Sequence, residues 1–192
     1  MRKLVSHVIV TLDGAANFDA VVETIGELRD TPEVLDLFLS RCAQEDAMLL
    51  GRVTYQEWAD YWPTSDFKSY ADHINSVPKY VASSTLEAAP WGAHEPATVM
   101  NGDLFEAVRA LKEQPGGNIG VHGSPTLTES LLQADLVDEL RLEIYPVVAG
   151  TGERLFHPAP RSKRLRLLDT MATSNGVLIA SYGPAQAGPG IR

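Results

Sequence analysis

The stretch "IGVHGSPTLTESLL", Ile119 to Leu132, decides the fold. Its apolar start, Ile119 to Val121, reads as a short strand. Gly123 and Ser124 break that strand, and Leu127, Leu131 and Leu132 then recur at helical spacing. A strand that turns through a glycine directly into a helix is one step of an α/β sheet. Two readings of the turn stand side by side. It is a tight corner set by geometry alone, or it is a helix start shaped to receive a negative charge.

Working outward toward the N-terminus, "KLVSHVIVTLDG" reads as a strand ending at the Asp13-Gly14 turn pair. Residues 15–30 show no clean period and read mostly as loop. "TPEVLDLFLSRCAQED" opens with Thr31 as N-cap and Pro32 at the first helical position, with Val34, Leu35, Phe38 and Leu39 on one face. "AMLLG" is a short strand stopped by Gly51, "RVTYQEWADYW" a helix ended by Pro63, and "FKSYADHINS" a further turn or two of helix. "KYVASST" and "ATVMNG" follow as strands. "GDLFEAVRALKEQPGG" is a helix with capping-box spacing between Asp103 and Glu106. Beyond the opening stretch, "LVDELRLEIYPVV" alternates as a strand, and "KRLRLLDTMAT" and "GVLIASYG" form a hairpin across "SNG". The fold expected is α/β: three layers, a mainly parallel central sheet and an antiparallel C-terminal hairpin. Residues 1–184 form one domain, and the Pro, Gly and Ala-rich tail 185–192 is expected to be flexible.

The totals narrow the function classes. The chain has 192 residues, 44% hydrophobic and 21% charged, which suits one folded domain and is too apolar for disorder. A formal charge of -9 argues against nucleic acid as the main partner. A single cysteine, Cys42, allows no internal disulfide and reads as a buried structural thiol. Neither a secretory signal nor a span long enough for a bilayer is legible, so the expected location is cytoplasmic, with no membrane partner.

Three predicted strand ends are rich in glycine and hydroxyl residues. They are Gly51, Arg52 and Thr54; Ser83, Ser84 and Thr85; and Gly123, Ser124, Thr126 and Leu127. Ligands of open α/β sheets lie outside such carboxyl ends. Helix starts offer unpaired N–H donors, glycine lets a pyrophosphate approach, and arginine forks onto phosphate. Taken singly, Ser124 is equally an N-cap, Gly51 a strand stop and Arg52 a solvated charge. The three together point to a nucleotide, although the G-x-G-x-x-G fingerprint is absent.

These residues resemble the dihydrofolate-reductase-like superfamily, and within it the group related to the C-terminal reductase domain of the bifunctional riboflavin-biosynthesis enzyme. The resemblance runs from "TLDG" through "LLGRVTYQEW" and "KYVASSTLE" to the segment Asn118–Phe156 and the final hairpin. It implies NADPH bound across the strand ends. Gly51, Arg52 and Thr54 would hold cofactor phosphates, and Ser83, Ser84 and Thr85 would lie near the 2′-phosphate. Gly123, Ser124, Thr126 and Leu127 would cradle the pyrophosphate, and "TLDG" would lie beside the nicotinamide. It also implies a homodimer acting on a small-molecule substrate. Two departures stand out. Dihydrofolate reductases usually carry two glycines where this chain has Gly123-Ser124, and riboflavin-pathway reductases often place a glutamate at the position of His122.

The function expected is therefore an NADPH-dependent reductase acting on a small heterocyclic, imine or carbonyl substrate that is pteridine-like or riboflavin-precursor-like. The alternative is a non-catalytic dimeric nucleotide-binding protein of the same fold, with a flavin-using variant as a third reading. Asp13 is the catalytic candidate, for the proton path or a substrate contact, and reads equally as a simple turn residue. His122 is a candidate acid or substrate contact, or else a half-buried residue bonded to backbone. Trp62, with Trp58 and Tyr61, forms an aromatic wall for a flat substrate or, on helical spacing, a core contact. Glu139 reads as a sheet-face residue. His7, His73, His94 and His157 show no metal-ligand spacing, so no metal is expected.

Overall fold

The strand of the opening stretch, β5 (Asn118–His122), lies inside a mostly parallel sheet of eight strands in the computed structural model, which describes residues 1–16, 25, 28, 31–158 and 162–185. The others are β1 (Leu4–Thr11), β2 (Glu45–Gly51), β3 (Lys79–Ala82), β4 (Thr98–Met100), β6 (Glu139–Tyr145), β7 (Leu165–Ala172) and β8 (Leu178–Pro184). Their order is β4-β3-β2-β5-β1-β6-β8-β7. The first six run parallel, and β8 and β7 close the sheet antiparallel. The expected α/β architecture is therefore the one observed. Residues 15–30, read as loop, fall largely outside the described residues, as do residues 186–192 of the tail.

Strands covered on both faces need apolar side chains on both. β1 is buried along almost its whole length, and Met48, Leu49 and Leu50 of β2 are fully buried. The helices are α1 (Pro32–Cys42), α2 (Arg52–Tyr61), α3 (Lys68–Ser76), α4 (Leu104–Glu113) and α5 (Pro125–Gln133). α4 and α5 bury Val108, Leu111, Leu127, Leu131 and Leu132 against Leu4, Val8, Leu49, Ile119 and Val121. On the opposite face, Cys42 of α1, Tyr55 of α2, and Tyr70 and Ile74 of α3 pack with Met48, Leu50, Val81 and Trp91. Burial pushes the Cys42 thiol well above its usual pKa, which fits the structural reading. None of the helices among the described residues is long and apolar enough to cross a membrane.

Two local starts and stops that differ from the sequence reading bear on the site and its helices. The Asp103 carboxylate caps α4 by accepting from the N–H groups of Phe105 and Glu106. Glu106 does not complete the box and instead pairs with Arg109 at 2.6 Å. α1 ends at Cys42, four residues before the sequence reading ends it, and β2 begins at the ionisable Glu45 rather than at Ala47.

Candidate functional site

Because β3, β2, β5 and β1 run parallel as neighbours, their carboxyl ends line one rim of the sheet. Gly51 ends β2 and is also the N-cap of α2, while Ser124 follows β5 and is the N-cap of α5; neither helix start is capped by a side chain. Ser124 Oγ instead joins the two. It accepts from the Gly51 N–H at 3.0 Å and lies 2.6 Å from Thr54 Oγ1. A Cβ at Gly51 would stand 2.8 Å from that oxygen, so glycine is required for the approach. Gly123 and Ser124 both take positive φ, 59° and 48°. The serine thus adopts the left-handed turn that two glycines would adopt freely. The Gly123 N–H donates to the His7 carbonyl at 3.1 Å, which seats the turn on β1.

The structure brings Gly51, Thr54, Gly123 and Ser124 together and places the other rim candidates beside them. Ala82 pairs in register with Gly51, so Ser83 and Arg52 are the next residues along neighbouring strand ends. Arg52 is exposed and donates only to Gln56 of its own helix, at 2.9 Å. Ser83 Oγ closes its own turn by accepting from the N–H groups of Thr85 and Leu86, leaving Ser84 and Thr85 exposed. Thr126 is exposed and bonds Glu153 at 3.3 Å, whereas the Leu127 side chain packs into the core and offers a ligand only its backbone.

Asp13 and Trp62 each take the structural one of their two readings. The Asp13 carboxylate accepts from Thr11 Oγ1 at 2.7 Å and from the N–H groups of Ala149 and Gly150 at 3.0 Å. These bonds lower its pKa to about 2, the Thr11 hydroxyl first among them, so at neutral pH it carries no proton to give. It clamps the loop after β6. Trp62 is buried against Trp58, Tyr70 and Phe67, a core position rather than an open wall. Glu139 lies on a sheet face as read: it opens β6 and pairs with buried Arg141 at 2.7 Å.

The largest departure lies beneath the rim, where His122 bonds to side chains and not to backbone. His7 of β1 and His122 of β5 are register partners, and their rings stack at 4.7 Å and 6°. Glu45 enters at an irregularity in the β2–β5 register. Its Oε1 lies 2.6 Å from His7 Nε2 and its Oε2 lies 2.7 Å from His122 Nε2, so one carboxylate receives an N–H from each ring. That tautomer leaves His122 Nδ1 to accept from the Tyr70 hydroxyl at 3.1 Å. His7, Glu45 and His122 are 8%, 3% and 2% exposed. Burial pushes His7 down to about 4, which keeps it neutral. Burial alone would raise Glu45, but the two imidazoles outweigh it and hold the carboxylate well below its usual range. Burial raises Tyr70, so its proton stays. A Cβ at Gly120 would overlap Glu45 Oε2, so this position too is closed to any side chain. Half-buried Phe38 and Trp58 stand over His122, each with its ring centroid 5.9 Å away.

Sequence reasoning weighed His122 but missed Glu45, His7 and Tyr70 as its partners. The spacings of 38 and 77 residues from Glu45 to the histidines match no metal or catalytic motif. The available signals were a histidine inside an otherwise apolar strand and an acid at the mouth of "DAMLLG".

Comparison with known proteins fits this geometry. The family model described as the RibD C-terminal domain matches residues 2–179. The uncharacterized protein YyaP of Bacillus subtilis is 32% identical over 143 residues, 72% of this chain and 74% of that protein. A pyrimidine reductase-like protein of Corynebacterium diphtheriae superposes with a TM-score of 0.66 at 17% identity, covering 96% of this chain and 92% of the other. Dihydrofolate reductase of Enterococcus faecalis, solved with NADP(H), superposes with a TM-score of 0.62 at 14% identity, covering 94% and 95%. At these identities the two structures share the fold.

Proposed function

This chain belongs to the RibD C-terminal domain family, and on that premise we propose that it is an oxidoreductase using NADPH to reduce a small heterocyclic substrate at an imine or carbonyl group. One observation carries the reading. The starts of α2 and α5, both uncapped by side chains, are joined through Ser124 at the carboxyl edge of adjacent parallel strands. Two helix starts offer a diphosphate two sets of N–H donors and two positive dipole ends. Gly51 and Gly123 keep side chains out of that cradle. By contrast, the start of α4, which follows the outer strand β4, is filled by Asp103.

NADPH bound there would supply a hydride. The protein's own residues do the rest. The Arg52 guanidinium, exposed beside the cradle, is placed to fork onto a phosphate, and Ser84 and Thr85 add hydroxyl donors at the end of β3. Phe38 and Trp58 wall the substrate side over His122 and exclude water. Asp13, held ionised, fixes the loop at Ala149 and Gly150 against the end of β1. The exposed Leu167, Leu168 and Met171 of the edge strand β7 support a homodimer, and the expected location remains the cytoplasm.

Titrating the purified chain with NADPH while following tryptophan fluorescence tests the reading, and saturable quenching is expected. Arg52→Ala should weaken NADPH about tenfold, since hydrogen bonds to charged groups are worth about 1.5–3 kcal/mol; NADH is weakened much less if Arg52 reads the 2′-phosphate and equally if it holds the diphosphate. Absence of any NADPH binding at millimolar concentration would overturn the proposal. Tight binding without turnover of any pteridine or pyrimidine offered would favour the non-catalytic binding protein.

A further inference from the structure

We propose that His7, Glu45 and His122 form a binding site for one divalent transition-metal ion of the zinc or cobalt kind. Each residue offers one ligand atom, and the three atoms lie within 4.8 Å of one another. Two imidazole nitrogens and one carboxylate oxygen are a donor set suited to such ions, and three protein ligands leave a further position for water. An acidic ligand already stands at the centre of the cluster, with its two oxygens 2.6 and 2.7 Å from the Nε2 atoms of the two rings. Arg141, the register neighbour of His7 on β6, is paired with Glu139 and brings no net charge.

The surrounding chain is arranged around this cluster at a cost. An ionisable residue occupies a buried strand position where apolar side chains would pack without penalty. The β2–β5 register shifts at Glu45, and only glycine fits at Gly120. Ligand histidines usually carry a partner on the ring nitrogen that does not bind the metal. Tyr70 Oη stands at that place, 3.1 Å from His122 Nδ1. The exposed His157–Glu129 pair, 2.9 Å apart, has no third ligand among the described residues and serves as a contrast.

In the tautomers that these hydrogen bonds set, loading requires no net proton loss. Each ring shifts its proton from Nε2 to Nδ1, and His122 Nδ1 then donates to Tyr70 instead of accepting from it. The parallel rings now point their Nε2 atoms at separate oxygens. Both must therefore turn inward to share one ion.

The test uses the full chain without a histidine tag, stripped by a chelator and titrated with Zn²⁺ by calorimetry and with Co²⁺ by visible absorption. One ion per chain is expected, with a Co²⁺ ligand-field band. Glu45→Gln should abolish binding at micromolar metal. Tyr70→Phe should weaken it about 10–100-fold, the usual effect of losing such a partner. Glu129→Gln, on the exposed pair, should leave it unchanged. Nitrogen-15 spectra of the wild-type histidines decide the matter should Glu45→Gln fail to fold. Zn²⁺ should convert two histidines from the Nε2–H to the Nδ1–H tautomer. No stoichiometric binding, binding of equal strength in folded Glu45→Gln, or unchanged tautomers at saturating Zn²⁺ would overturn the site and leave a hydrogen-bonded clamp.

Discussion

The two faces of β5 are built on different principles. Toward α4 and α5 it presents Ile119 and Val121, which pack in a hydrophobic cluster. Toward α1 and α3 it presents Gly120 and His122, which make room for and bind a buried carboxylate. The apolar side chains of the first face are held by buried area and tolerate loss in proportion to the volume removed. The polar face is held by complementarity, and removing one partner exposes the desolvation of the others.

Glu45→Ala should be the most damaging change. It leaves two buried imidazole N–H groups unmatched and should cost about 3–5 kcal/mol, read as a lower midpoint in urea. A cost under about 1 kcal/mol would erase the distinction between the faces. Leu131→Ala on the aliphatic side should cost about 2–5 kcal/mol, set by the cavity left, and should leave the pH dependence of stability as it was. Acid sharpens the contrast further. With chelator present, His7 titrates near 6.5 when unfolded and at about 4 when folded. Its folded pKa is the lower, so the unfolded state takes up the proton first. Stability should fall as pH drops from about 6.5 to about 4, by on the order of 3 kcal/mol. Glu45, also lowered, extends the loss below about 4.3. His7→Phe should flatten the upper part of that slope in thermal melts across pH. The smallest effect should be Asp103→Ala, at about 1 kcal/mol for a lost helix cap, with the acid slope intact.

The same contrast explains what could be read from the chain beforehand. The aliphatic face and the rim are encoded locally. Leu127, Leu131 and Leu132 show their period, and Gly123 and Ser124 announce a corner within the same fourteen-residue stretch. Helix α5 and the mainly parallel sheet follow from such patterns. The polar cluster is encoded by register. His7 meets His122 because β1 lies beside β5, and Glu45 reaches both because β2 shifts its pairing there. Hydropathy counts Glu45 as the tail of a helix, whereas its burial depends on partners one and two strands away. Asp13 was visible as a turn residue, but its bonds to residues 149 and 150 come from a loop that closes on it in space.

The hydroxyl of Ser124 already has both its partners in hand, the Gly51 amide and the Thr54 oxygen. A bolt that is home before the visitor arrives leaves nothing to be drawn afterward. The rim would thus meet a nucleotide as a finished mould, and the speed of capture would be governed by diffusion and charge instead of by chain rearrangement.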